Sequence, residues 1–141
     1  MFRLYQPDDT TEIEFYAKTA STAYAFGDVV YLSTGTGYLL KSTTTSAPNL
    51  GLIYKTIAST DSDYAQNTRV PVLVPGKNAT FLADVGTGTG GQTYVGSFVD
   101  LATAESINLT ADTYGVVQVV GFISTTQMLV KFAVKGGAAA G

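Results

Sequence analysis

Apolar and polar residues alternate along this chain in short runs, and the period is two. Ile13, Phe15 and Ala17 interleave with Glu14 and Tyr16, which predicts a first strand or an extended arm over residues 11–18. Val29–Leu32 reads as a short buried strand, Thr34-Gly35-Thr36-Gly37 as a turn, and Tyr38–Lys41 as the return strand of a hairpin. Another strand is expected from Gly51 to Ile57. Val70, Val72 and Val74 point one way, and Arg69, Pro71 and Leu73 the other. Proline cannot donate to a ladder, so that strand is expected at an edge or bulged. Pro75-Gly76-Lys77-Asn78 is a turn and the best candidate for a joint between two halves. Beyond it, strands are predicted at 80–85, 95–101, 106–109, 116–123 and 128–134, with Gly86–Gly91 as a flexible loop. The best helix candidate, Asp100–Ser106, is too short and too rich in turn formers.

The expectation is therefore an all-β domain over residues 21–134, a small β-barrel or β-sandwich of short antiparallel strands. Residues 1–20 would form an N-terminal arm or first strand, and 135–141 a flexible tail. The expected core is Val29, Leu32, Ile53, Val70, Val72, Val74, Phe81, Val99, Val117, Val119, Phe122, Val130 and Phe132. An internal echo suggests two similar halves. Gly27-Asp28-Val29-Val30-Tyr31-Leu32 resembles Gly96-Ser97-Phe98-Val99-Asp100-Leu101. Gly51-Leu52-Ile53 would then match Gly121-Phe122-Ile123, and Thr68-Arg69-Val70 would match Thr126-Gln127-Met128, with roughly a dozen extra residues in the first copy.

Composition changes the functional picture. The 141 residues include no histidine and no cysteine, and only 13% are charged. The side chains most used for proton transfer and nucleophilic attack are missing or scarce, so an enzyme is not expected. An average globular protein carries about 25% charged residues. A Thr-, Ser- and Tyr-rich exterior suits permanent contacts, because desolvating a hydroxyl costs less than desolvating an ion. The net charge of −3, with scattered Lys and Arg, argues against nucleic acid. No apolar run is long enough to span a bilayer, and the start shows no apolar signal segment, so a protein made and kept in a cytoplasm is expected.

The remaining motifs read as structure. Gly86–Gly91 lacks the Lys-Ser/Thr of a nucleotide loop. Asp61-Ser62-Asp63 has too few ligands for calcium. Asp8, Asp9, Glu12 and Glu14 could mimic paired carboxylates but carry no pocket signal, and a solvated or subunit-pairing edge fits them better. The nine tyrosines are evenly spread and lack a companion tryptophan, which weakens a sugar-binding reading. No catalytic, cofactor-binding or metal-binding residue is assigned. Phe2, Leu4, Tyr5, Ile13 and Phe15 are unusually dense in apolar character for a terminus and are the candidate partner-binding residues.

The run Ala25–Leu32, then Gly37–Thr43, then Gly51–Tyr54 resembles the capsid decoration (head cement) proteins of tailed bacteriophages. Val95–Leu101, Val119–Phe122 and Met128–Phe132 are similar to the C-terminal part of such proteins, so the likeness covers residues 20–134. The resemblance implies a non-catalytic virion protein without cofactor that binds the outside of a phage capsid. Its implied partners are the major capsid protein and further copies of itself, often as a trimer. Residues 1–20 match no motif of that family. The rival readings are another phage component, such as a head fibre or tail module, and a carbohydrate-binding adhesin.

Overall fold

Short β-branched runs punctuated by glycine give short strands, three to eight residues each here. The computed structural model describes residues 1–43 and 49–135. Its strands are β1 (Arg3–Gln6), β2 (Glu12–Ala17), β3 (Val29–Leu32), β4 (Leu39–Lys41), β5 (Gly51–Ile53) and β6 (Arg69–Val74). They continue with β7 (Thr80–Thr87), β8 (Phe98–Thr103), β9 (Ser106–Asn108), β10 (Val117–Ser124) and β11 (Gln127–Phe132). No α-helix occurs among the described residues, and one 3-10 turn spans Gln92–Tyr94.

The strands form two sheets of the same design. The first runs β2-β6-β5-β3-β4, and a parallel bridge from Lys18 to Leu39 brings its ends together. The second runs β7-β11-β10-β8-β9 and closes through parallel pairing of β7 with β9. Each is a small barrel in which the first strand meets the fifth on one side and the third on the other. β1 is an addition to the second barrel, antiparallel to β7, with Leu4 opposite Phe81.

Matching hydrogen bonds make the duplication concrete. Gly27 donates its N–H to the Ile53 carbonyl at 2.8 Å, and Gly96 donates to Val119 at 2.7 Å. Ile53 donates to the Asp28 carbonyl and Val119 to the Ser97 carbonyl. The turns Ala25–Asp28 and Tyr94–Ser97 each close with an N–H to carbonyl bond, and each holds its glycine at positive φ, +90° and +97°. A β-turn with positive φ at its third residue favours glycine for steric reasons. Ile53 faces Val72 across the β5–β6 ladder, and Val119 faces Val130 across β10–β11. Thr68-Arg69-Val70 is thus equivalent to Thr126-Gln127-Met128, as the echo implied. The second glycine pair is not equivalent: Gly51 matches Val117, and Gly121 lies beyond a bulge in β10. From the Ile53/Val119 equivalence to that of Val72 and Val130, the first copy takes 19 steps and the second 11, so the insertion is eight residues rather than a dozen.

The core has two parts. Tyr24, Val30, Leu39, Ile53, Ile57, Val70 and Val72 fill the first barrel. The second cluster fills the other barrel around Phe81, Leu101, Ile107, Val119 and Met128, and it also takes in Val29, Leu52 and Leu73. Those three are adjacent across the first sheet, Val29 opposite Leu52 and Leu52 opposite Leu73, and alternation puts them on its outer face. One barrel therefore lays an apolar row against its twin, and the Pro75–Asn78 turn links them.

Four expectations are corrected. Leu32 is 37% exposed, because it ends β3 at the hairpin. Phe122 is 42% exposed: it lies beyond the bulge, past the stretch where β8 pairs with β10. β6 is an interior strand despite Pro71. Tyr54 donates to the Pro71 carbonyl, so the missing N–H faces Tyr54, just past the end of β5, where little ladder is lost. Gly86–Gly91 is not a free loop: Gly86 and Thr87 belong to β7, and Gly90 is buried with its N–H on the Thr125 carbonyl. The tail expectation falls, Lys135 apart, outside the described residues.

Candidate interaction surface

β2 alternates apolar and polar side chains, and its pairing decides which face each set takes. Glu12, Glu14, Tyr16 and Lys18 share the inner face. Lys18 is fully buried, and its ammonium donates to the carbonyls of Tyr64 at 3.0 Å and Gln66 at 2.6 Å, both in the insertion that the second barrel lacks. Tyr16 donates its hydroxyl to Glu14 at 2.7 Å, and that bond holds the Glu14 carboxyl below its ordinary value. The neighbouring Glu14, by hydrogen bond and by charge, pushes the Glu12 carboxyl up.

The outer face of β2 carries Ile13, 44% exposed, and Phe15, 54% exposed. Ile13 lies opposite Leu73 and so continues the buried row Val29–Leu52–Leu73 out to solvent. Phe15 lies opposite Pro71, Tyr54 bonds to Pro71, and Phe26, 40% exposed, stacks on Tyr54 with ring centroids 4.7 Å apart. Phe15, Pro71, Tyr54 and Phe26 thus form an aromatic stripe across one rigid barrel face.

The candidate residues divide. Ile13 and Phe15 come together in this surface. Tyr5 is 58% exposed, but on β1, which pairs with the second barrel. Phe2 is fully buried and packs edge-on against Phe132, and Leu4 packs against the same core, so neither is offered to a partner. Residues 3–6 and 12–17 are strands paired within the chain, the first onto β7 and the second onto β6. Phe26 and Tyr54 carry no partner-binding signal in the period-two pattern. The signal available was the glycine turn after Phe26, which fixes that ring at the rim of the barrel.

Other polar groupings serve turns. Asp8 accepts from the Thr10 and Asn78 amides and from the Thr11 hydroxyl, tying the β1–β2 turn to the linker between barrels. These bonds, that of Asn78 foremost, hold its carboxyl below the ordinary value. Asp61 accepts from the Ala58 amide in a turn. Between the barrels lies a cleft of about 470 Å3 lined by Asp28, Lys41, Ser42, Ala102 and Glu105. Asp28 is buried with one carboxylate oxygen on the Ala25 amide and the other unpaired, and burial pushes its carboxyl up. Among the described residues no three Asp or Glu side chains cluster as a metal site, and no helix is long and apolar enough to cross a membrane. No protein-family model matches the chain, and no curated protein matches it significantly.

Proposed function

We propose that this chain is a non-catalytic structural protein of a virion that binds the outside of a phage capsid and stabilises it. The observation that carries the reading is the stripe Phe15–Pro71–Tyr54–Phe26: its end rings Phe15 and Phe26 are left exposed, while Tyr54 between them is half-buried against the core that joins the barrels. Exposed apolar side chains grouped on one face mark association surfaces. The sparse charge of the chain keeps the cost of desolvating such a face low. The resemblance in the Gly27 and Gly96 regions supplies the partner, a major capsid protein, and repetition over an icosahedral lattice would multiply many modest contacts into firm attachment.

The test is rebinding. Purified protein is added to expanded capsids stripped of their outer proteins, and saturable co-sedimentation at a fixed ratio to the major capsid protein is expected. Replacing Phe15 by serine should weaken that binding by about tenfold or more while leaving the melting temperature nearly unchanged, because its ring is more than half exposed; replacing Phe26 should weaken it likewise and lower the melting temperature modestly, because its stacking on Tyr54 is lost. Failure to bind any such shell, with binding to tail tubes or to a glycan array instead, would replace this reading by the tail-module or adhesin alternative. Mass photometry of the free protein tests the trimer.

A further inference from the structure

The two barrels differ in one respect that the duplication exposes. β7 and β2 are equivalent first strands. The edge of β7 turned away from β11 is filled twice, by β9 along Asp84–Thr87 and by β1 along Thr80–Leu82. The same edge of β2 meets β4 only at the Lys18–Leu39 bridge, and among the described residues no strand pairs along Ile13–Phe15. These positions correspond to Thr80–Leu82, where β1 sits on the twin.

The polar groups on that edge point outward. Lys18 donates to Thr68 on the β6 side, so by alternation the amides of Glu12, Glu14 and Tyr16 also face β6. Pro71 turns its carbonyl to Tyr54, away from Phe15. The N–H and carbonyl groups of Ile13 and Phe15 therefore face the open edge, where the Arg69 guanidinium reaches the Phe15 carbonyl at 2.9 Å.

We propose that the open edge of β2 receives an extended strand of another protein, added antiparallel as β1 is added to β7, with a Lys or Arg side chain falling beside Glu12 and Glu14. Three observations select this occupant. The twin barrel shows that a strand fits at this position and in this direction. Charge selects the sequence of the strand: β1 turns Leu4 inward onto Phe81, whereas the equivalent inward residue of β2 is Glu14, with Glu12 beside it. A strand bringing a basic residue inward and apolar residues outward, against Ile13 and Phe15, satisfies both faces. Charge also disfavours a second copy pairing edge to edge through β2, since that would set glutamates of one chain against glutamates of the other. Main-chain bonds would supply affinity, and the two faces specificity. This inference goes beyond the shell-binding reading and does not depend on what assembly the partner belongs to.

The probes are two synthetic peptides, alternating Val-Lys and alternating Val-Glu, each seven residues long. The Val-Lys peptide is expected to bind the intact chain, to shift the amide resonances of Ile13 and Phe15, and to outbind the Val-Glu peptide by about tenfold or more. Ile13→Pro removes an N–H that faces the open edge and takes no part in the β6 ladder, and should abolish binding. Glu12→Lys, at an exposed position that does not endanger folding, should abolish the peptide preference, because the new charge cancels that of Glu14. Equal binding of both peptides, shifts confined to other strands, or an unchanged preference in Glu12→Lys would overturn the proposal. So would a dimer in sedimentation that Ile13→Pro dissolves, because the occupant would then be a second copy. Capsid rebinding unaffected by Ile13→Pro leaves the shell reading standing on the aromatic stripe alone. Peptide binding without capsid binding leaves the edge standing and removes the shell.

Discussion

Lys18 stands inside the first barrel at the position that Val85 holds in the second. Its buried ammonium is tolerated because two carbonyls of the insertion accept from it. Lys18→Met keeps the length but orphans those carbonyls, and should cost about 1.5–3 kcal/mol in urea unfolding. Asp28 behaves oppositely. Its carboxyl is raised by burial, so the folded state favours its protonated form. The stability tied to that proton is full below about pH 3.8, its ordinary value, and is lost as pH rises through the raised one. Asp28→Asn should therefore lose less melting temperature than the parent between pH 4 and 7. Asp8 has a lowered value, so its contribution is present above pH 3.8 and disappears as the medium is acidified through the folded value. The period-two pattern placed Lys18 with Tyr16 on one face of β2, but nothing local showed that face to be the interior. Only the carbonyls of residues 64 and 66, nearly fifty positions away, make a lysine acceptable there.

Among elements, the paired glycine turns separate two physical effects. Gly27 and Gly96 both need positive φ, so alanine at either should cost about 1–2 kcal/mol from backbone strain. A Cβ at Gly96 meets nothing within 4 Å, whereas one at Gly27 would lie 2.6 Å from the Phe2 carbonyl. Gly27→Ala should thus be clearly the more destabilising, as thermal melts of the two variants will show. Nearly all the strands were legible because strand period, turn residues and glycine spacing are local properties. The register of β10 was not: the bulge after Val119 shifts which glycine is equivalent to which, and bulges carry no simple local signature. The exposed stripe was half legible. Ile13 and Phe15 stood out by alternation, but Phe26 and Tyr54 join them only through the Tyr54–Pro71 bond across the sheet.

At the scale of the whole molecule, Leu52 and its row neighbours give the two barrels a shared core, which predicts that they unfold together. Leu52→Ala should cost about 2–5 kcal/mol and lower amide protection in both barrels together. Two separated transitions in calorimetry would contradict a shared core.

The strand that begins the chain finds its ladder on residues 80–82. During synthesis β2 to β6 emerge first and can pair among themselves, but Phe2, Val29, Leu52 and Leu73 must wait in water until the second barrel leaves the ribosome. For that interval the nascent chain carries its own future interior as a sticky flank. A truncated chain ending at Pro75 and released from the ribosome should therefore be retained by chaperones, whereas the full chain should be let go.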